Sequence, residues 1–194
     1  MLKKTKRIVE QVVGNVKPLL NLDETSYIRF LKDYFGNKPI VIAEIGVFKG
    51  DNALKMLKHL NIKKIYLIDL WGSISYEEGD LAGKSFDWEQ YYEIAKKNLE
   101  QYKSKTKFIR SLSVDGVNYI NEQLDAIYID CNHDYKAVLE DVRTYYPIVK
   151  MGGVIGGHDF CPRYPGVARA VNEFFDYPKM ICRSMNCEWW IIKK

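Results

Sequence analysis

No stretch of this chain is apolar for long enough to cross a bilayer. Glu10, Gln11, Asn15 and Lys17 interrupt the opening, and nothing later makes up for it. The same interruptions argue against a signal peptide, so a cytoplasmic location is expected. Cysteine is scarce: Cys131, Cys161, Cys182 and Cys187 are spaced by 30, 21 and 5 positions, which fits neither a zinc framework nor a disulfide scaffold and reads as reduced thiols. Charge of one sign is also in short supply. The 29 basic and 25 acidic residues leave a net +4, concentrated only at Lys3-Lys4-Thr5-Lys6-Arg7, so no nucleic-acid partner is expected. Internal repeats and low-complexity tracts are missing, as are the Lys-Ser/Thr of a Walker loop and the G-x-G-x-x-G of a dinucleotide fingerprint.

What is present suits one folded unit. At 194 residues, 47% apolar and 28% charged, the chain can bury one substantial core. Ile8, Val9, Val12, Val13, Val16, Leu19 and Leu20 recur at helical spacing until Pro18 breaks the pattern. A second short helix is predicted from Asp23 or Glu24 to Phe35, stopped by Gly36-Asn37 and Pro39. Residues 1–37 thus read as a helical extension that can cover a sheet, pair with a second copy into a homodimer, or close over a substrate. Residues 38–194 read as the main domain.

From Ile40 onward, strand-like and helix-like runs alternate, the pattern of an α/β fold with crossover helices. Strands are predicted at about 40–45, 64–69, 106–110, 125–130 and 153–157, and helices at about 51–60, 87–103, 114–121, 135–149 and 166–176. Asp87-x-x-Gln90 forms a capping box at one helix start. Residues 179–185 and 188–192 flank Asn186-Cys187 as a terminal hairpin, and Trp189 and Trp190 must face opposite sides of its last strand. The irregular run 71–84 lies beyond a strand's carboxyl end, over the expected crevice.

The most informative segment is Val41-Ile-Ala-Glu44-Ile-Gly46-Val-Phe-Lys-Gly50-Asp51-Asn52, where a strand ends in an acid and runs through two glycines into a helix. Glycine permits close approach of a ligand to the backbone, and a helix start offers unpaired N–H groups to an anionic end. Glu44 and Asp51 would repel a pyrophosphate there, so a ligand that also carries positive charge fits better. The second strand ends in Asp69-Leu70, an acid placed to hold a ribose diol by two hydrogen bonds. Ser111-Leu112-Ser113, after the third strand, falls by topology beside the base. Asp130 closes the fourth strand and His158-Asp159 the fifth, and adjacent tips can gather these three around one divalent cation with His133 facing the same space. Carboxylates suit hard cations, while an imidazole widens the choice toward manganese, iron or zinc. His59 falls on a helix and reads as surface or packing.

The E-x-G-x-x-x-G turn resembles the first motif of class I S-adenosylmethionine methyltransferases. Asp130-x-x-His133, Lys150-x-Gly-Gly153 and His158-Asp159 look like the metal-dependent O-methyltransferases of catechol and macrolide-sugar type, a similarity running from about residue 38 to the end. The resemblance implies a Rossmann-like methyltransferase fold: a mostly parallel seven-stranded sheet with a C-terminal antiparallel hairpin and helices on both faces. It implies S-adenosylmethionine as cofactor, held by Glu44, Gly46, Gly50, Asn52, Asp69, Leu70, Ser111, Leu112, Ser113 and Asp130. It further implies magnesium or manganese at Asp130, His158 and Asp159, catalysis by Asp130 and His133 with His133 as base, and a small-molecule or sugar hydroxyl as acceptor. His158 departs from the family, which more often has a carboxylate there. A metal-independent N- or C-methyltransferase and a non-catalytic nucleotide-binding scaffold remain open alternatives.

Overall fold

Aliphatic and β-branched runs between polar turns form the strands: β1 (Ile40–Ile45), β2 (Ile62–Asp69), β3 (Thr106–Arg110), β4 (Leu124–Ile129), β5 (Val149–Gly157), β6 (Cys182–Arg183) and β7 (Trp189–Ile192). The helices are α1 (Ser26–Phe35), α2 (Asp51–His59), α3 (Trp88–Leu99), α4 (Tyr135–Tyr145) and α5 (Pro165–Phe175). This computed structural model describes residues 24–72, 86–175, 182–184 and 186–194. The apolar stripe of 8–20, nearly all of the 71–84 loop and part of the first hairpin arm lie outside them.

The sheet order is β3-β2-β1-β4-β5-β7-β6, parallel through β5, with β7 antiparallel to both neighbours. Six strands have four to nine residues, while β6 is a two-residue edge, so seven is reached only by counting that fragment. The chain reverses its direction of travel across the sheet between β1 and β4. That reversal opens a crevice at the strands' carboxyl ends.

All six residues of β1 are buried, and alternation divides them between two cores. Val41, Ala43 and Ile45 join the layer built by α4 and α5; Ile40 and Ile42 join that of α1, α2 and α3. Trp189 belongs to the first core and Trp190 packs against the second, as strand alternation requires. Helix α1 is fastened to the sheet: Thr25 caps it, and the Tyr27 hydroxyl donates to the Ile127 carbonyl at 2.8 Å. The Asp87 carboxylate accepts from Gln90 N at 3.0 Å and so caps α3. Among the described residues no helix is long and apolar enough to cross a membrane.

Several boundaries differ from those predicted. The helix expected at 114–121 is a 3-10 turn, Gly116–Tyr119, because Gly116 lies so close to Ile68 and Tyr145 that a Cβ would sit 2.5 Å from Ile68 Cγ2. The helices expected to reach 103 and 149 tighten into 3-10 turns at Glu100–Tyr102 and Tyr146–Ile148. Strand β5 starts at Val149, earlier than expected, because its pairing with β4 slips between Leu124 and Ala126, where left-handed Gly152 (φ 73°) absorbs the extra length.

Asp125, 2% exposed at the start of β4, ties this end of the sheet together. It accepts from Val41 N at 2.9 Å, Lys150 Nζ at 2.9 Å and Lys38 Nζ at 3.3 Å. Burial opposes its charge, but the Lys150, Val41 and Lys38 donors outweigh that and hold the carboxyl below its usual value. Its contribution is therefore complete above the unfolded carboxylate pKa and lost as pH falls through the lower folded one. Asp125→Ala is expected to cost about 3 kcal/mol in urea unfolding at neutral pH, with the gap from wild type closing in strong acid.

Candidate active site

The turn after β1 is shaped first by the protein itself. Gly46 has φ 86°, and a Cβ there would lie 2.1 Å from the Asp130 carbonyl oxygen. Asp130 N in turn donates to Ile45 O at 2.7 Å. The glycine thus lets the tips of β1 and β4 touch. Gly50 (φ 78°) packs against α3, where a Cβ would meet Leu99 Cδ1 at 3.2 Å.

Asp69 is similarly committed. Its Oδ2 accepts from Val47 N at 2.9 Å and Phe48 N at 2.8 Å, and its Oδ1 from Trp71 N at 2.9 Å. A carboxylate has about four acceptor sites, so roughly one remains for a ribose hydroxyl rather than the two expected. The acid organises the turn and borders the space it encloses. Trp71 Nε1 donates to Phe48 O at 2.8 Å, joining two residues held at positive φ, 39° and 51°.

A cavity of about 320 Å³ opens beside this turn, the size of a small-ligand site. Of the predicted cofactor residues, Gly46, Asp69, Leu70, Leu112, Ser113 and Asp130 line it. Glu44, Gly50, Asn52 and Ser111 do not. Glu44 is 1% exposed and faces α2, where its Oε1 accepts from Asn52 Nδ2 at 2.9 Å; burial pushes its carboxyl up to about 8. The Ser111 hydroxyl donates to the Leu112 carbonyl at 2.8 Å.

At the Asp130 end, Asp130, His133 and Asp159 bring ligand atoms within 4.8 Å of one another. His133 Nε2 is 2.8 Å from Asp159 Oδ2 and 4.0 Å from Asp130 Oδ1. The predicted set is Asp130, His158 and Asp159; among the described residues the geometric group takes in His133, while His158 lies with Nδ1 3.0 Å from Asp159 Oδ1. The cause is local, since Asp159 at φ 61° turns its carboxylate between the two imidazoles. The Asp159 hydrogen bond raises His158 to about 9. Burial would raise Asp159, yet the His133 and His158 hydrogen bonds prevail and hold it well below the carboxylate range. Burial lifts Asp130 to about 6.

A family model described as a methyltransferase domain matches residues 43–160, more than half of the chain. The chain belongs to the methyltransferase-domain family. A curated relative, the uncharacterized protein R132 of Acanthamoeba polyphaga mimivirus, is 27% identical over 153 residues, covering 74% of this chain. The match spans 62% of that relative's length. Among solved structures, the O-methyltransferase NovP superposes with a TM-score of 0.64 at 15% identity, over 87% of this chain and 79% of its own. An rRNA methylase from Streptococcus thermophilus gives 0.60 at 14%, over 87% and 95%. SMU.1697c, a methyltransferase-like protein of Streptococcus mutans solved with S-adenosylhomocysteine, gives 0.61 at 15%, over 88% and 99%. At these identities the likeness establishes the class I methyltransferase fold.

Within this member of the family, sequence reading missed the aromatic wall of the cavity. Phe48, Phe86 and Trp88 line it. The Phe86 and Trp88 rings are 4.9 Å apart, and Phe48 lies 4.5 Å from Tyr91. The available signal was Phe86-Asp87-Trp88, with aromatics on both sides of the acid that caps α3.

Proposed function

We propose that the protein transfers a methyl group from S-adenosylmethionine to a hydroxyl of a small molecule or sugar, with a divalent cation at Asp130, His133 and Asp159. One observation carries this reading: Asp130 lies in both the 320 Å³ cavity and the cation group, so the two sites share a wall. The cavity's chemistry suits the cofactor, with glycine backbone and Asp69 on one side and apolar Leu70, Leu112 and aromatic rings for a base. S-Adenosylmethionine would supply an electrophilic methyl on a sulfonium whose charge is lost as it leaves. A cation would lower the pKa of the acceptor hydroxyl, and two carboxylates with one imidazole suit magnesium or manganese.

The chain's own residues orient the two reactants and exclude water, which suffices for much of the acceleration in such a displacement. His133, braced by Asp159 at 2.8 Å, accepts the hydroxyl proton where no cation is bound. That direct contact, with His158 fastened to the other Asp159 oxygen, favours a metal-independent transfer as the second reading. Residues 38–194 would form the catalytic domain, located in the cytoplasm, with the N-terminal extension helping to select the acceptor.

Calorimetry with S-adenosylhomocysteine is expected to show one site per chain; no heat at millimolar ligand would instead support a scaffold. Isotopically labelled cofactor and a panel of hydroxylated acceptors, read by mass spectrometry, then identify the substrate. Label appearing only on nitrogen or carbon would refute O-methylation.

A further inference from the structure

Two of the four cysteines meet where the loop after β5 reaches the turn of the β6–β7 hairpin. Phe160 N donates to Cys187 O at 2.8 Å, which holds the two segments side by side. Cys161 N donates to Asp159 O at 2.8 Å and Tyr164 N to Cys161 O at 3.1 Å, so the loop curls tightly around Cys161. Cys187 is left-handed (φ 63°) at the facing turn. The Cys161 and Cys187 thiols hydrogen-bond with each other, and both are half-buried and reduced. The backbone bond joins Cys187 to Phe160, the immediate neighbour of Cys161, so the two cysteines come from segments in direct contact.

We propose that Cys161 and Cys187 are a modification site that closes into a reversible disulfide. The co-reactant is a low-molecular-weight disulfide. One cysteine sulfur attacks it, forming a mixed disulfide as half of the reagent leaves as a thiol; the second cysteine then displaces the other half and closes the Cys161–Cys187 bond. Two cysteine thiols are oxidised, the reagent is reduced to two thiols, and two protons pass to those products. The bridge would fasten the loop bearing His158 and Asp159 to the hairpin. There Glu188 accepts from Tyr27 N at 3.2 Å and Tyr128 Oη at 3.4 Å, so the clasp reaches α1 and β4. This inference stands without the methyl-transfer reading, because it depends only on the two thiols and their backbone.

The test is to incubate the full chain with excess glutathione disulfide at about pH 8, where ordinary thiols ionise appreciably, then block free thiols and map the peptides. Expected is a mass loss of two hydrogens, one peptide pair joined through Cys161 and Cys187, and reversal by dithiothreitol. Cys161→Ser and Cys187→Ser should each leave a stable glutathione adduct on the remaining partner. A bridge through Cys131 or Cys182, glutathione on both Cys161 and Cys187 without a bridge, or four unmodified thiols would each overturn the proposal. The wild-type map decides the matter even if a serine variant folds poorly.

Discussion

Asp69→Ala is expected to weaken S-adenosylhomocysteine binding by at least a hundredfold in calorimetry. The carboxylate accepts three backbone N–H groups, from Val47, Phe48 and Trp71, and its removal orphans all of them at once. Hydrogen bonds to a charged group contribute about 1.5–3 kcal/mol each, so losing one ribose contact together with the ordered turn predicts about 3 kcal/mol or more. Asp69→Asn separates the two contributions. It keeps one acceptor oxygen but sets an NH₂ against donors, so the turn should loosen while the fold survives. Unchanged affinity in Asp69→Ala, with the protein folded by circular dichroism, would remove the nucleoside assignment.

The second large effect concerns the cation. Asp159→Ala is expected to abolish manganese binding by electron paramagnetic resonance and to abolish turnover, because the residue is one of the three proposed ligands and also braces His133. His158→Ala should retain manganese within a few-fold, since that imidazole stands outside the ligand group. The sequence alone predicted the reverse for His158. Proton competition gives a further signature: Asp130, raised to about 6, gains its proton below that pH and ceases to be a ligand, so manganese affinity should fall as pH drops through 6. Equal losses in both variants would restore His158 to the ligand set. Full activity after exhaustive chelation would leave the metal-independent reading, in which His133→Ala still abolishes turnover.

The sheet was legible because the residues that form it carry a local signal. Strand β1 begins and ends on apolar residues, at Ile40–Ile45, and β3 spans Thr106–Arg110 around Phe108-Ile109, both as predicted. The readings at 114–121 and 149–152 went astray because tertiary contacts decided them: Gly116 has room for no side chain against Ile68, and the start of β5 is defined by slipped pairing with β4. The site was legible to a similar degree. Strand-tip residues such as Asp69, Leu112 and Asp130 border the cavity because topology alone puts them there. Glu44 does not, since strand alternation points it at α2 and Asn52. Which imidazole joins Asp130 and Asp159 turned on the left-handed backbone at Asp159, and no spacing rule reports a φ angle.

Phe48, Trp71 and Asp159 share a property with evolutionary consequences. Each adopts a backbone geometry that glycine or asparagine tolerates better, at a cost of about 1–3 kcal/mol per residue. Laboratory selection for heat tolerance would therefore favour glycine early on at 48, where the ring is exposed, but not at 71, where a fully buried tryptophan would be lost. The survivors would be hardier and would bind ligand less well, because the relaxed position also gives up a ring that lines the crevice.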